Sequence, residues 1–283
     1  MSLRLMYITN RPDVALIAER SGVDRIFVDM EWIGKADRQG NMDSVKNHHT
    51  VEDVKAIRKV LTRAELLVRV NPIHAATEAY CSSAEEIEAV IQAGADVLML
   101  PYFKTLEEVR YFFKLVHKRC KTVLLLETAE AVEILDEILK LPELEEVHIG
   151  INDLALSYGK PFMFELVADG TVERLCRKLE QAGVFCGFGG IARLGKGKVP
   201  AEMIIREHYR IGSRAAILSR SFCNVDLVQD MNAVEEIFSA GIREIRALEE
   251  ECASHMRYFT DNRKQLEAAV DAVVTGIERG EAE

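Results

Sequence analysis

The sequence lacks any apolar run that approaches the roughly 20 residues of a membrane-spanning helix. Its first residues, MSLRLMYITN, lack the hydrophobic core of a signal peptide and are typical of a first strand. The six cysteines are scattered without a CxxC pair, so neither a disulfide framework nor a zinc site is indicated. We therefore expect a soluble, cytoplasmic protein with reduced thiols.

The chain also has fewer basic than acidic residues. The 283 residues include 46 acidic and 36 basic side chains, and the net charge of −10 argues against nucleic acid or an anionic membrane as a partner. A small anionic substrate is still compatible, because a few local cations suffice to bind it. With 48% apolar residues, the chain can build the full core of a large α/β domain.

Short apolar runs alternate with helical patterns through residues 1–230. Eight of these runs have the composition of strands and follow one another at intervals of about 30 residues, which is typical of an α/β fold of the (β/α)8 TIM barrel type. A doubly wound open sheet is disfavoured, because no GxGxxG motif follows the first strand. The predicted strands cover residues 3–9, 25–32, 65–71, 97–102, 123–127, 146–153, 184–190 and 215–222.

Residues 231–283 contain no strand pattern and form a separate C-terminal extension. Two apolar stripes at helical spacing predict two extra helices there. Because these helices exceed what the barrel requires, we predict that they form a homo-oligomer, a trimer or hexamer. The alternative is that they fold back across their own barrel. The stripes consist of Val234, Ile237, Phe238, Ile242, Ile245 and Leu248, and of Leu266, Val270, Val273 and Ile277.

The most informative stretch is 121–159, in which two strand-like runs each end in a carboxylate, Glu127 and Asp153. A helical pattern separates the runs, which predicts a βαβ unit with parallel strands and both carboxylates at one edge. Two anionic oxygens in this position suit a hard divalent cation such as Mg²⁺. Alternatively, the two acids only open the helices that follow, since acids favour helix N-termini.

Arg69 interrupts the otherwise apolar strand LLVRVN. A buried charge is costly unless it is paired or functional, so this guanidinium either polarises a substrate carbonyl or forms a structural ion pair with Glu31 or Glu127. Enzymes with this fold carry their active sites at the C-terminal ends of the strands. The polar residues predicted there are Glu31, Arg69, Glu127, Asn152, Asp153, Arg220 and Ser221.

Several segments resemble the HpcH/HpaI aldolase and citrate lyase β-subunit superfamily. The most specific are ETAEAVEILDEI (127–138) and IGINDLALSYG (149–159); the others are FVDME (27–31), VRVN (68–71) and GADVLMLP (94–101). The resemblance implies a barrel with a divalent metal on Glu127 and Asp153, Mg²⁺ first and Mn²⁺ or Co²⁺ as alternatives.

The same resemblance implies roles for further residues. Arg69 would contact the oxygen of a 2-oxo acid or enolate, and the backbone amides of Asn152 and Asp153 would bind its carboxylate. Glu31 would lie in the second shell and orient metal-bound water.

Three positions depart from the pattern of the pyruvate aldolases in this superfamily. Trp32 stands where the acid/base His directly follows the second-strand Glu, Gln92 stands where the acid that pairs with that His is found, and Leu125 replaces a Gln. The usual proton-transfer pair is therefore missing. His48 and His49, just before a predicted helix N-terminus, are candidates for a substitute base, or are plain surface residues.

We expect a metal-dependent carbon–carbon lyase of the class II aldolase type that acts through an enolate of pyruvate or a related 2-oxo acid. A CoA-ester lyase of the citryl- or malyl-CoA type is one alternative. A metabolite-binding protein that kept the metal site and lost the base is another. The glycine- and lysine-rich stretch 187–198 could hold a phosphate, a CoA tail or a sugar acid, or is only a solvated turn.

Overall fold

The computed structural model describes residues 2–34, 49–254 and 258–280. These residues contain nine strands that pair in parallel, in the order β7-β6-β5-β4-β3-β2-β1-β9-β8. The strands are β1 (Arg4–Ile8), β2 (Arg25–Asp29), β3 (Glu65–Arg69), β4 (Val97–Leu100), β5 (Lys121–Leu126), β6 (Glu146–Ile149), β7 (Phe185–Phe188), β8 (Gly190–Ile191) and β9 (Ala215–Leu218).

The ninth strand arises because the predicted seventh strand is split at Gly189. This residue has φ +52°, and a Cβ there would lie 2.7 Å from the side chain of Ile151. The first piece, β7, pairs with β6, and the second piece, β8, pairs with β9. The sheet therefore comes round to its first strand as a nearly closed barrel, and the predicted TIM-barrel fold is confirmed.

Helices surround the barrel: α1 (Pro12–Ser21), α2 (Val51–Val60), α3 (Ser83–Gln92), α4 (Leu106–Val116), α5 (Ala129–Glu133), α6 (Leu135–Ile138), α7 (Ile151–Ser157), α8 (Glu165–Ala168), α9 (Thr171–Gln181) and α10 (Ala201–Ile211). Thr50 and Ser82 cap α2 and α3 through complete capping boxes. The single helix expected between Glu127 and Asp153 is instead two short helices, α5 and α6.

The barrel interior has an apolar middle layer and a charged lower layer. Because side chains alternate along a strand, every second residue points inward. In the lower layer Arg25 donates to Glu65 and to Glu146, each at 2.7 Å. The apolar layer consists of Met6, Phe27, Leu67, Val97, Met99, Val123, Leu125 and Ala215. The upper ends of the strands are left for polar side chains.

The C-terminal extension forms α11 (Met231–Ser254) and α12 (Phe259–Glu278). Helix α11 packs on α1 and α10, and α12 packs on α10 and α8. Val234, Phe238 and Leu266 are fully buried in these contacts. Since the chain itself covers much of both apolar stripes, they give no support for subunit contact, and the homo-oligomer stays a prediction. No helix in the described part of the chain is long and apolar enough to cross a bilayer.

Candidate active site at the barrel mouth

A cavity of about 550 Å³ opens at the C-terminal ends of the strands. It is lined by the predicted residues Arg69, Glu127, Asn152, Asp153 and Arg220, and by His49. Its floor is apolar, with Phe27, Met99 and Leu125, and its far wall is formed by Thr9, Asn10, Arg11, Ser219 and residues 223–226. A larger cavity of about 710 Å³ lies at the opposite end of the barrel. Active sites in this fold occupy the mouth where the strands end, so the first cavity is the candidate site.

Arg69 is held by two carboxylates. Its Nε and Nη2 donate to the two oxygens of Asp29 at 2.7 and 2.8 Å, and its Nη1 lies 3.2 Å from Glu31 Oε2. Asp29 and Arg69 are direct partners in the register of β2 and β3. Burial acts to lower the pKa of Arg69, but the charges of Asp29 and Glu31 outweigh it and raise that pKa well above its usual value. The guanidinium is therefore charged at all relevant pH and fixed in one plane.

Glu127 follows β5 directly and is only 2% exposed. It does not cap the next helix, because the side chain of Thr128 does so by accepting from Ala131 N–H. Burial, together with the nearby carboxylates of Glu31 and Asp153, raises the pKa of Glu127 well above its usual value. An additional positive charge at this position would therefore be stabilising.

The backbone also positions Glu127. The backbone N–H of Tyr102 donates to Glu127 Oε1 at 2.9 Å. The backbone of Tyr102 has φ +46°, a left-handed conformation that residues other than glycine rarely adopt. Gly150 provides the space on the other side, because a Cβ there would come within 2.9 Å of Glu127 Oε2. Strained backbone such as that of Tyr102 clusters at functional sites.

Asp153 lies in the first turn of α7 and is partly exposed. Asp153 therefore has the position of an acid that opens a helix, as the alternative interpretation of the sequence had it. However, Asp153 also lines the cavity and its charge helps to raise the pKa of Glu127, so both acids lie at the same mouth of the barrel, at the edge that the βαβ unit predicted. The backbone amides of Asn152 and Asp153 belong to the same first turn, where helix N–H groups lack intrahelical partners.

The donor set fits a divalent cation. The charges of Asp29, Glu31 and Glu127 act on Arg69, and those of Glu31 and Asp153 act on Glu127, so the negative charge is concentrated around Glu127. Among the described residues, no three His, Cys, Asp or Glu side chains are preassembled in metal-binding geometry. The protein would thus supply Glu127 and Asp153 and leave the other positions to water and substrate, which is how Mg²⁺ is usually bound in enzymes.

His49 is the predicted substitute base that the structure describes, since His48 and the rest of residues 35–48 lie outside the described part. Its Nδ1 accepts a hydrogen bond from the backbone N–H of Asp29 at 2.9 Å. The imidazole is partly buried and lines the cavity that contains Arg69 and Glu127. The interpretation as a plain surface residue is therefore not supported by its position.

The positions that depart from the aldolase pattern lie apart from one another. Trp32 is 41% exposed, and its ring packs against Tyr80 with 6.4 Å between centroids. Gln92 lies on the exposed end of α3 and donates to Glu88. Neither is among the described residues that line the cavity, whereas Leu125 contributes to its apolar floor. The lysines of the stretch 187–198, Lys196 and Lys198, are exposed, and only its glycines reach the cavity.

His148, in β6, also lines the cavity. Its Nε2 lies 3.2 Å from the carbonyl oxygen of Gly189, and its Nδ1 is buried and has no hydrogen-bond partner among the residues that the structure describes. Burial lowers its pKa to about 4, so the ring is neutral. A neutral ring beside a carbonyl oxygen must carry its proton on Nε2.

The family model for HpcH/HpaI aldolase/citrate lyase matches residues 4–163, which is more than half of the chain. The chain belongs to the HpcH/HpaI aldolase/citrate lyase family. All of the described candidate residues except Arg220 and Ser221 fall within the matched segment. The family assignment agrees with the resemblance found in the sequence motifs.

Individual proteins that are similar to the chain are described as aldolases or as members of this family. A stretch of 77 residues is 35% identical to the hydroxypyruvate/pyruvate aldolase of Rhizorhabdus wittichii and spans 25% of this chain and 31% of that protein. An HpcH/HpaI aldolase/citrate lyase family protein from Burkholderia cenocepacia has a TM-score of 0.59 at 17% identity, over 82% of this chain and 95% of its own. An HpcH/HpaI aldolase from Desulfitobacterium hafniense has a TM-score of 0.58 at 14% identity, over 83% and 93% of the two chains. These two structures share the barrel fold with the chain.

Sequence reasoning missed Asp29 as a site residue, although it noted a carboxylate at the end of the second strand. The signal was the alternation in β2: if Phe27 points into the barrel, Asp29 does so as well. The roles of Tyr102 and Gly150 carried no comparable signal, because both act through backbone geometry.

Proposed function

We propose that this chain is a divalent-metal-dependent carbon–carbon lyase that acts through an enolate of pyruvate or a related 2-oxo acid. The observation that carries the proposal is the planar clamp of Asp29 and Glu31 on Arg69, in the same cavity as Glu127 and Asp153. Membership of an aldolase/citrate lyase family supports the reaction class. The cavity volume of about 550 Å³ suits a small substrate.

Glu127 and Asp153 would hold Mg²⁺ or Mn²⁺, and such an ion supplies Lewis-acid polarisation of a 2-oxo acid. Arg69 makes three polar contacts with Asp29 and Glu31, so two of the five N–H groups of its guanidinium remain for the C2 oxygen of the substrate. Preorganised donors of this kind stabilise the negative charge that develops on that oxygen.

The remaining residues would bind and orient. The first-turn amides of α7 at Asn152 and Asp153 would receive the substrate carboxylate, since helix N-termini favour anions. Glu31 would keep Arg69 in place and orient a water molecule. The apolar floor of Phe27, Met99 and Leu125 would exclude bulk water from the reacting carbons.

The test is exchange of deuterium into the methyl group of pyruvate, followed by NMR in D₂O with Mg²⁺. We expect exchange with the wild-type protein, its loss on chelation and its recovery on renewed addition of Mg²⁺. Glu127→Gln should lack it, and in Arg69→Lys it should be slower by about 10²-fold or more. If pyruvate binds by calorimetry but its methyl group never exchanges, the enolate proposal fails. Turnover of acetyl-CoA with glyoxylate or oxaloacetate would then indicate a CoA-ester lyase.

A further inference from the structure

Asn71, in the loop after β3, joins two parts of the chain that are distant in sequence. Its Oδ1 accepts hydrogen bonds from the backbone N–H groups of Trp32 and Ile33, both at 2.9 Å. Its Nδ2 donates to Glu86 Oε1 in α3 at 2.8 Å, and its backbone N–H donates to the same oxygen at 3.2 Å. Since a backbone N–H can only donate and a carboxylate can only accept, these contacts fix the orientation of the Asn71 amide.

The partner of this amide, Glu86, is a buried carboxyl group with 5% of its surface exposed. Burial raises the pKa of Glu86 above its usual value, although the hydrogen bonds from Asn71 and the charge of His74 oppose this shift. Its contacts therefore do not fully recover the free energy that burial of a carboxylate costs. Proteins accept costs of this kind mainly at functional sites.

The segment that Asn71 anchors contains Glu31, whose Oε2 lies 3.2 Å from Nη1 of Arg69. On the other side of Glu31, the N–H of Met30 donates to the carbonyl oxygen of Arg69 at 2.9 Å. The backbone of Glu31 is thus held at both ends, through Arg69 before it and through Asn71 after it. Release of the second end would let the carboxylate of Glu31 move away from the guanidinium that it orients.

We propose that Asn71 is a positioning residue, which anchors the segment after β2 and so keeps Glu31 against Arg69. The assignment rests on the proposed function, in which Arg69 stabilises the negative charge on the C2 oxygen of the substrate. Asn71 is not among the described residues that line the cavity. It therefore acts on the reaction through Glu31 and Arg69, and not on the substrate itself.

Reversing the polarity of the pair of Asn71 and Glu86 tests this role. Asn71→Asp keeps one oxygen for the two anchored N–H groups but directs a second carboxylate oxygen at Glu86, which is repulsive. In the double variant of Asn71→Asp and Glu86→Gln, the new amide at position 86 can donate to the new carboxylate, which restores the anchor. Glu86→Gln alone should cost less than Asn71→Asp, because its amide oxygen can still accept from Asn71.

The first readout is the rate of deuterium exchange into pyruvate at saturating substrate, with circular dichroism as the check on folding. We expect Asn71→Asp to lower this rate about tenfold to hundredfold at little changed KM, and the double variant to recover most of it. Glu88→Gln is the control, because it lies on the same helix but pairs with Arg119, and it should leave the rate unchanged. A wild-type rate in Asn71→Asp, or a loss that the double variant does not recover, would overturn the proposal.

The combination with Glu31→Gln separates positioning from a general effect on the fold. If Asn71 acts through Glu31, Asn71→Asp should cost little more in a protein that already carries Glu31→Gln. Losses that multiply would show that Asn71 acts elsewhere, which overturns the proposal as well. Should Asn71→Asp fail to fold, Asn71→Ala takes its place in this comparison, because it removes the acceptor without adding a charge.

A second measurement needs no turnover, because Trp32 is the only tryptophan of the chain. Its fluorescence therefore reports on the segment that Asn71 anchors. We expect quenching by acrylamide to increase in Asn71→Asp and to return to the wild-type value in the double variant. Unchanged quenching in Asn71→Asp would overturn the proposal even in an active enzyme. The expected quenching pattern in a protein without any pyruvate exchange would instead refute the proposed function, and with it the effect of Asn71 on catalysis.

Discussion

The side chain of Glu127 occupies the space that a Cβ on Gly150 would need. A Cβ at position 150 would be 2.9 Å from both the Cβ and the Oε2 of Glu127. The backbone of Gly150 has φ −80°, which other residues adopt without strain, so the requirement for glycine here is purely one of space. Because Gly150 immediately precedes the helix that carries Asp153, this contact also sets how closely the two candidate metal ligands approach each other.

Gly150→Ala should therefore displace the carboxylate of Glu127 without preventing folding. We expect the affinity for Mg²⁺ to fall about tenfold to hundredfold, as for other residues that orient metal ligands. Titration calorimetry measures the change. Gly276→Ala is the matched control, because nothing lies within 4 Å of a Cβ at that position. Unchanged affinity in Gly150→Ala would show that Glu127 does not bind the metal or that its position is easily adjusted.

Glu127→Gln and Asp153→Asn should each abolish measurable Mg²⁺ binding, because each removes an anionic ligand. Glu127→Gln should at the same time stabilise the metal-free protein against unfolding, since it removes a buried carboxyl group that faces Glu31 and Asp153. Calorimetry and urea unfolding give the two readouts.

Glu130→Gln is the control for these variants, because Glu130 pairs with Lys104 on the partly exposed side of α5. Its Mg²⁺ affinity should equal that of the wild type. Retention of metal affinity in both ligand variants would contradict the assignment of the site.

Arg69→Lys keeps the positive charge but loses the planar fork that Asp29 holds at 2.7 and 2.8 Å. A single ammonium group cannot reproduce both bonds and still reach the substrate, so kcat should fall about 10²-fold or more. Pyruvate deuterium exchange measures the loss, and circular dichroism checks the fold. Arg58→Lys alters a pair with Asp96 at the opposite end of the barrel and should leave exchange unchanged. Full exchange in Arg69→Lys would show that charge alone suffices.

The barrel was predictable because its signals are local and repeated. Short apolar runs alternate with helical patterns, and local residues such as Thr50 and Ser82 cap the helices that begin after them. Glu127 and Asp153 were predictable as neighbours, since parallel strands place their ends at one edge. The split of the seventh strand at Gly189 was not predictable, because it depends on the distant side chain of Ile151.

Contacts between distant residues explain the remaining differences from prediction. An amphipathic helix shows that something covers its apolar face, but not what, and α11 is covered by α1 and α10 of the same chain. The candidate His49 was found from its place before a helix. The hydrogen bond that positions its ring was not, because the donor is the backbone N–H of Asp29, which is 20 residues away in the sequence.

The lower end of the barrel gives a prediction about stability. Arg25 is 1% exposed and is bound by both Glu65 and Glu146 at 2.7 Å. Arg25→Met removes the shared cation and leaves two largely buried carboxylates less compensated, so we expect a loss of about 3–5 kcal/mol in the free energy of unfolding. Urea unfolding measures it. Arg11→Met, which breaks the exposed pair with Asp13, should cost less than about 1 kcal/mol.

The pH dependence of the free energy of unfolding, measured for the wild type and for Arg25→Met, tests the cause of this loss. Burial acts to raise the pKa of Glu65, but hydrogen bonds from Lys121 and Arg25 outweigh it and lower that pKa below its usual value. A carboxyl group with a lowered pKa stabilises the fold above its unfolded-state pKa, and this contribution disappears as the pH falls through the folded-state pKa. Arg25→Met should therefore lose less stability than the wild type on acidification from pH 6 to pH 3. An equal acid-induced loss in both proteins would show that Arg25 contributes by packing and not by its charge.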